Sequence, residues 1–238
     1  MAQYEYGTAT DVGLLRANNE DALLAAPELG LWVVADGMGG HEAGEVASDI
    51  AQQAIRERYA KHQNLTQAVL QAHEAILNAV AAGIGKAGMG STVVALATKG
   101  TQFEIAWVGD SRAYLYSPFK RSRLQQLSTD HSYVQSLFKS GLISREEMAT
   151  HPDKNIITQC LGSTELDRIQ VDSIREHWHK DQRLLLCSDG LTDCVSEPEI
   201  AKLLGQTPTP QAAADALIQA ALSGGGRDNI TAVVARAH

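Results

Sequence analysis

LWVVADGMGGH, Leu31 to His41, carries an apolar run with two valines and a tryptophan into Asp36, then into three glycines around Met38. Apolar residues at helical spacing follow from Ala43. This succession predicts a short buried strand, a tight turn and a helix start. Asp36 then stands at a strand end, beside backbone that glycine alone can bring close to a ligand. The arrangement recurs at Ile105 to Asp110, at Leu184 to Asp189, and at Asp228-Asn229 ahead of residues 230–235. Any one Asp-Gly or Asp-Ser is ordinary turn chemistry. Four at strand ends are harder to dismiss, because hairpin strands share a sheet and their ends can meet. Converging carboxylates repel and lose hydration, which is costly unless cations sit among them.

The totals narrow the partners. The 238 residues, 44% hydrophobic and 20% charged, suit one globular unit with a sizeable core. A formal net charge of -8 argues against nucleic acid or an anionic membrane as the main partner. A phosphorylated substrate is still compatible if divalent cations neutralise the site. No apolar run approaches the roughly 20 residues that span a bilayer, and MAQYEYGTATDVG lacks the basic and apolar regions of a signal peptide. Cys160, Cys187 and Cys194 cannot all pair with one another, so a reducing compartment, the cytoplasm, is expected.

Working outward, residues 4–10 and 22–26 read as strands preceding the one that ends at Asp36. Residues 42–60 and 66–82 repeat apolar positions at helical spacing and predict an antiparallel helix pair. Strands are expected at 91–98, 102–108, 112–116 and 123–127. Residues 131–155 are polar and irregular, with helical pieces at 132–139 and 144–149, and read as a flap spanning about 131–160. Strands at 168–173 and 183–187, helices at 197–204 and 210–222, and a final strand complete the order. Strands and helix pairs in blocks do not make the βαβ alternation of a doubly wound sheet. The expected class is α+β: mostly antiparallel sheets covered by helix pairs, one domain over residues 1–238.

The candidate metal ligands are Asp21, Asp36, Asp110, Asp189 and Asp228, with the carbonyl of Gly37. All are hard oxygens, which suit Mg²⁺ or Mn²⁺ and disfavour Zn²⁺. Two such cations sharing Asp36 would turn a water between them into a nucleophile. Arg16, five positions before Asp21, has the fork to hold a phosphoryl group bidentately. His41 has the chemistry to protonate a leaving alkoxide. His177-Trp178-His179 reads as a solvated loop. Gly83-Ile84-Gly85-Lys86-Ala87-Gly88 matches G-x-G-x-x-G but follows a helix rather than a strand, so the dinucleotide reading fails. Two alternatives from other classes stand beside the metal enzyme: a regulatory binding module with a decayed site, and a serine esterase acting through Ser111.

RANNEDA, ADGMGGHEAGEVAS, GMGSTVV, WVGDSRAYLY, LSTDHSYVQSL, CSDGLTDCV and GGGRDNITAVV occur in order from Arg16 to Val234. Together they resemble the bacterial metal-dependent protein phosphatases of the 2C type. The resemblance implies a four-layer α-β-β-α sandwich and Mn²⁺- or Mg²⁺-dependent dephosphorylation of phosphoserine and phosphothreonine in proteins, by in-line attack of a metal-bridging hydroxide. It implies that Asp36 bridges two core ions, with Gly37, Asp189, Asp228 and Asp21 completing them, and that Asp110 and Asp189 hold a third, weaker ion. Arg16 would grip the phosphate, with Glu20 and Asn229 supporting the ligands beside them. Phosphorylated proteins and a serine/threonine kinase are the implied partners of a monomer. Two positions depart from family patterns: Met38 stands where eukaryotic members carry histidine, and Gln159 where many bacterial members carry arginine.

Overall fold

The computed structural model describes residues 4–40, 42–120, 123–165 and 168–236. Strands β1 (Glu5–Asp11), β2 (Asp21–Ala26) and β3 (Leu31–Met38) lead into the helix pair α1 (Ala43–His62) and α2 (Leu65–Ala81). Then come β4 (Gly90–Ser91), β5 (Val93–Lys99), β6 (Gln102–Val108), β7 (Arg112–Tyr116) and β8 (Leu124–Gln126). Helices α3 (Tyr133–Lys139) and α4 (Arg145–Thr150) form an excursion before β9 (Asp172–His177) and β10 (Arg183–Cys187). The one-turn α5 (Asp189–Thr192), the pair α6 (Glu197–Gln206) and α7 (Pro210–Ser223), and β11 (Ile230–Arg236) follow.

The strands form two antiparallel sheets, ordered β1-β11-β10-β7-β8 and β2-β3-β5-β6-β9, with β4 added beside β3. Central strands are buried on both faces, and their period-two alternation sends successive side chains to different cores. In β3, Leu31, Val33 and Ala35 meet Ala47, Ala51, Ile55 and Ile76 of α1 and α2. Trp32 and Val34, between them, meet Leu184, Leu186 and Val233 of the other sheet. On β10 and β11, Leu185 and Val234 turn outward to Ile200, Leu204 and Leu217 of α6 and α7. Three cores thus separate four layers, the α-β-β-α sandwich expected.

Local chemistry sets the helix limits. Asn64 caps α2 by accepting from the Gln67 N–H, and Thr209 caps α7 just before Pro210. Ser144 and Glu147 form a reciprocal capping box that starts α4 within an otherwise irregular stretch.

Several expectations shift. Strand β3 continues two residues past Asp36, because Gly37 and Met38 pair with Ser91 and Gly90. The strand expected at 168–173 lies further on, at Asp172–His177, where Ile174 pairs with Ile105. His177 and His179 are exposed, but Trp178 between them is core, packed against Tyr4 and Phe103. The four aspartate-tipped strands also do not share a sheet: β3 and β6 belong to one, β10 and β11 to the other. What brings their ends together is the packing of sheet on sheet.

Leu184 therefore tests the inter-sheet core. Leu184→Ala, at a fully buried position, should lower unfolding stability by about 2–5 kcal/mol. Phe119→Ala, at a 78% exposed position, should stay within about 0.5 kcal/mol of the parent. Urea unfolding followed by circular dichroism measures both.

Candidate metal centre

Antiparallel register puts Asp21 of β2 directly opposite Asp36 of β3. Asp36 is held by its backbone: its N–H donates to Thr92 Oγ1 at 3.2 Å, and its carbonyl accepts from the Thr92 N–H at 2.8 Å. A Cβ on Gly37 would collide with the Gly44 carbonyl at the start of α1, so only glycine lets helix and strand approach this closely. The Gly37 N–H donates to the Glu20 carbonyl at 3.1 Å. Asn229 knots the opposite wall: its amide donates to the carbonyls of Val12 and Asn18, each at 2.9 Å, and its oxygen accepts from the Glu20 N–H at 2.8 Å. Asp189 heads α5, and Asp110 follows β6 through Gly109, whose φ of +104° favours glycine.

These ends surround a cavity of about 540 Å³. Its lining includes Arg16, Glu20, Asp36, Gly37, Asp110, Asp189, Asp228 and Asn229, all singled out from the sequence. Asp21 is not in the lining. It sits behind, accepting from the Ser188 hydroxyl at 2.8 Å, while its other oxygen, Oδ1, is buried with no hydrogen-bond partner. His41 lies outside the described residues. Thr92, Asn18, Asn155 and Ile157 also line the cavity and were not foreseen. Their cue lay in fold contacts, since Asn155 and Ile157 arrive from the far end of the α3–α4 excursion. A second cleft of about 470 Å³ shares Asp110, Asn155 and Asp189 with the first and runs beneath α3 and α4.

The carboxylates are strained electrostatically. Burial first, then the charges of Asp21, Asp189, Asp110 and Asp228, raise the Asp36 carboxyl well above its usual range. Asp189 is raised well above its range in the same way, by burial and then by Asp110, Asp193 and Asp228. Asp21 is pushed up to about 6, chiefly by burial and against the opposing hydrogen bonds of Thr231 and Ser188. Asp110 reaches about 6 for the same principal reason. Such shifts mark a site arranged for charge neutralisation rather than for fold stability.

Arg16 provides part of that neutralisation. Its guanidinium donates to Asp228 Oδ2 at 2.6 Å, while Asp228 Oδ1 accepts from the Asn229 N–H at 2.8 Å, so both oxygens are engaged. Among the described residues no three His, Cys, Asp or Glu side chains are drawn together tightly enough to hold an ion as they stand. The donor set nonetheless fits hard divalent cations: carboxylates and one carbonyl, an orphaned buried oxygen on Asp21, and a cavity roomy enough for hydrated ions. Asp36, Gly37, Asp110, Asp189 and Asp228 could hold them, with Asp21 reaching them through water.

Ser111 does not fit a nucleophile's place. It is 1% exposed, and its hydroxyl shares a 2.8 Å hydrogen bond with Thr92. The esterase reading fails on that burial.

Comparison with known proteins agrees with the geometry. The family model described as Protein phosphatase 2C matches residues 16–223. The serine/threonine protein phosphatase PstP of Mycobacterium tuberculosis is 39% identical over 97% of the chain. The chain spans only 44% of that relative's length. The serine/threonine phosphatase stp of Listeria monocytogenes is 36% identical, with 94% of this chain and 92% of the relative covered. The crystal structure of the PstP catalytic domain in complex with two manganese ions superposes with a TM-score of 0.86 at 36% identity, covering 98% of this chain and 97% of that one. The chain belongs to the protein phosphatase 2C family.

A pH dependence follows from the raised carboxyls. The folded chain holds these protons more tightly than the unfolded one, so their contribution to stability is full below about pH 4 and is lost as pH rises through about 6. A divalent cation binds the deprotonated oxygens and offsets that loss. The difference in Tm between samples with Mn²⁺ and with EDTA should therefore be small at pH 5 and grow by pH 7.5. A difference that stays flat across this range would contradict the assignment.

Proposed function

We propose that this chain is a metal-dependent serine/threonine protein phosphatase. The observation that carries the reading is the convergence of Asp36, Asp110, Asp189 and Asp228 on one cavity that also contains Arg16. Carboxylates alone would repel a phosphate dianion, so the cavity suits a phosphoryl group only when cations outnumber that repulsion. Asp36, Gly37, Asp189 and Asp228 would hold two divalent ions, and Asp110 with Asp189 a weaker third, which would supply Lewis acidity to neutralise phosphoryl charge and activate water. Mn²⁺ and Mg²⁺ both match the oxygen donors.

The chain's own residues then have distinct tasks. Arg16 exchanges Asp228 for two phosphoryl oxygens and holds the group in line for attack. Thr92, hydrogen-bonded to both backbone atoms of Asp36, keeps that carboxylate aimed into the cavity. Asn229 and Glu20 lock the Arg16 loop to the entry of β11. His41 is the candidate acid for the departing alkoxide. The phosphoserine and phosphothreonine substrates would be proteins phosphorylated by a partner kinase, and the working form a monomer in the cytoplasm. Among the described residues no helix is long and apolar enough to cross a membrane. The whole chain is read as one catalytic domain, with the α3–α4 excursion as a flap over the second cleft. The binding-module reading is disfavoured because a chain without chemistry to perform has no use for several buried, mutually repelling carboxylates.

Two substitutions test the assignment. Asp36→Asn should abolish Mn²⁺-dependent hydrolysis of p-nitrophenyl phosphate while leaving the circular dichroism spectrum intact; turnover near that of the parent would refute the ligand set. Arg16→Ala should lower kcat/KM on a phosphothreonine peptide by roughly 10²-fold, the cost of losing a bidentate clamp, while Mn²⁺ affinity holds or improves because a competitor for Asp228 is gone.

A further inference from the structure

His131 is outside every role assigned above, yet it bonds to three separate segments. Its N–H donates to the Gly109 carbonyl at 2.9 Å, and the Gly109 N–H returns a hydrogen bond to His131 Nδ1 at 3.1 Å. Both polar groups of Gly109 are thus taken by one residue. The His131 carbonyl accepts from the Thr158 N–H at 2.7 Å. Nδ1 is an acceptor, so the ring proton sits on Nε2, which faces Asp172 Oδ2 at 3.4 Å. The side chain is 9% exposed.

What lies on either side gives these bonds their meaning. Asp110, shared by both clefts, is the residue after Gly109. Next along, Ser111 bonds to Thr92, and Thr92 holds both backbone atoms of Asp36. On the other side the α3–α4 excursion is pinched at its root, where Ser132 bridges Ile157 and the Tyr133 N–H donates to Ile156. Hydrogen bonds therefore link Asp36 through Thr92 to Ser111, the chain itself continues through Asp110 to Gly109, and hydrogen bonds resume from Gly109 through His131 to Thr158. The turn at Gly109 depends on glycine, since its φ of +104° lies where other residues are disfavoured.

We infer that His131 is a positioning residue which locks the Gly109–Asp110 turn to the root of the α3–α4 excursion, so that the carboxylate common to both clefts and the residues arriving from the excursion hold one geometry. The inference rests on the metal-dependent reading for its binding readout, and on hydrogen exchange alone for its structural one.

Two polar replacements separate the ring's two ends. In His131→Asn the amide oxygen can stand in for Nδ1 and keep the bond from Gly109. In His131→Gln it reaches toward the Nε2 end and leaves the Gly109 N–H unpaired. Mn²⁺ titration by calorimetry should give His131→Asn the isotherm of the parent, whereas His131→Gln should weaken the lowest-affinity ion about tenfold or more, as losing a ligand-orienting partner does, with the tighter ions unchanged. In EDTA, the Gly109 and Thr158 amides of His131→Gln should exchange at least about tenfold faster than those of the parent and of His131→Asn, corresponding to about 1.4 kcal/mol of local protection. Thermal melts confirm that each variant is folded. Equal exchange and equal isotherms for the two variants would overturn the inference. A parent that binds no Mn²⁺ would instead defeat the metal reading, leaving the exchange comparison to decide the role of His131.

Discussion

Like charges held out of water are the constraint on which the rest of this molecule depends. Asp36, Asp110 and Asp189 are each shifted upward first by burial and only then by their neighbours, so the protein has spent stability to assemble them. Nothing local in a strand or a turn requires that. The arrangement persists because the two sheets pack face to face through Trp32, Val34, Leu184, Leu186 and Val233, which forces the ends of β3, β6, β10 and β11 to one rim. The core sets the positions, and electrostatics sets what those positions are for.

The supporting bonds follow the same division. Thr92, Ser188 and Asn229 carry no charge, yet each ties a carboxylate-bearing segment to a strand of a different hairpin. Neutral donors and acceptors can fix geometry without adding to the repulsion already present. One charged contact lies nearby: Arg112 holds Asp130 at 2.6 Å and also donates to the Tyr114 hydroxyl.

Much of this was readable from residues alone, and the parts that were not have physical reasons. The continuous apolar run of Leu31 to Val34 marked a strand buried on both faces, and blocks of helical spacing marked the covering helix pairs, while the four-layer order came from the family resemblance. The acidic set was legible because an aspartate after an apolar strand is locally conspicuous. Helix α5 was invisible, since four residues are too few to display a period. Strand β9 was misplaced because its partner β6 is distant in the sequence, and pairing of Ile174 with Ile105 is a long-range choice. Thr92, Asn155 and Ile157 were missed for the same reason: their role comes from where the fold delivers them. That Asp21 stands outside the cavity lining while Asp36, its register partner, stands in it was equally beyond local pattern.

The grip of Arg16 on Asp228 carries a further consequence for the order of events. The Arg16 fork is partly engaged by Asp228 through one Nη2 contact, so that part of it is withheld from a phosphoryl group for as long as the contact lasts. On the proposed reading, Asp228 would exchange this contact for a cation, and Arg16 would then be free to take a phosphoryl ester. On the same reading, cation first and substrate second would be an order favoured by a single contact of 2.6 Å, which would leave a centre short of metal a weaker holder of phosphorylated chains.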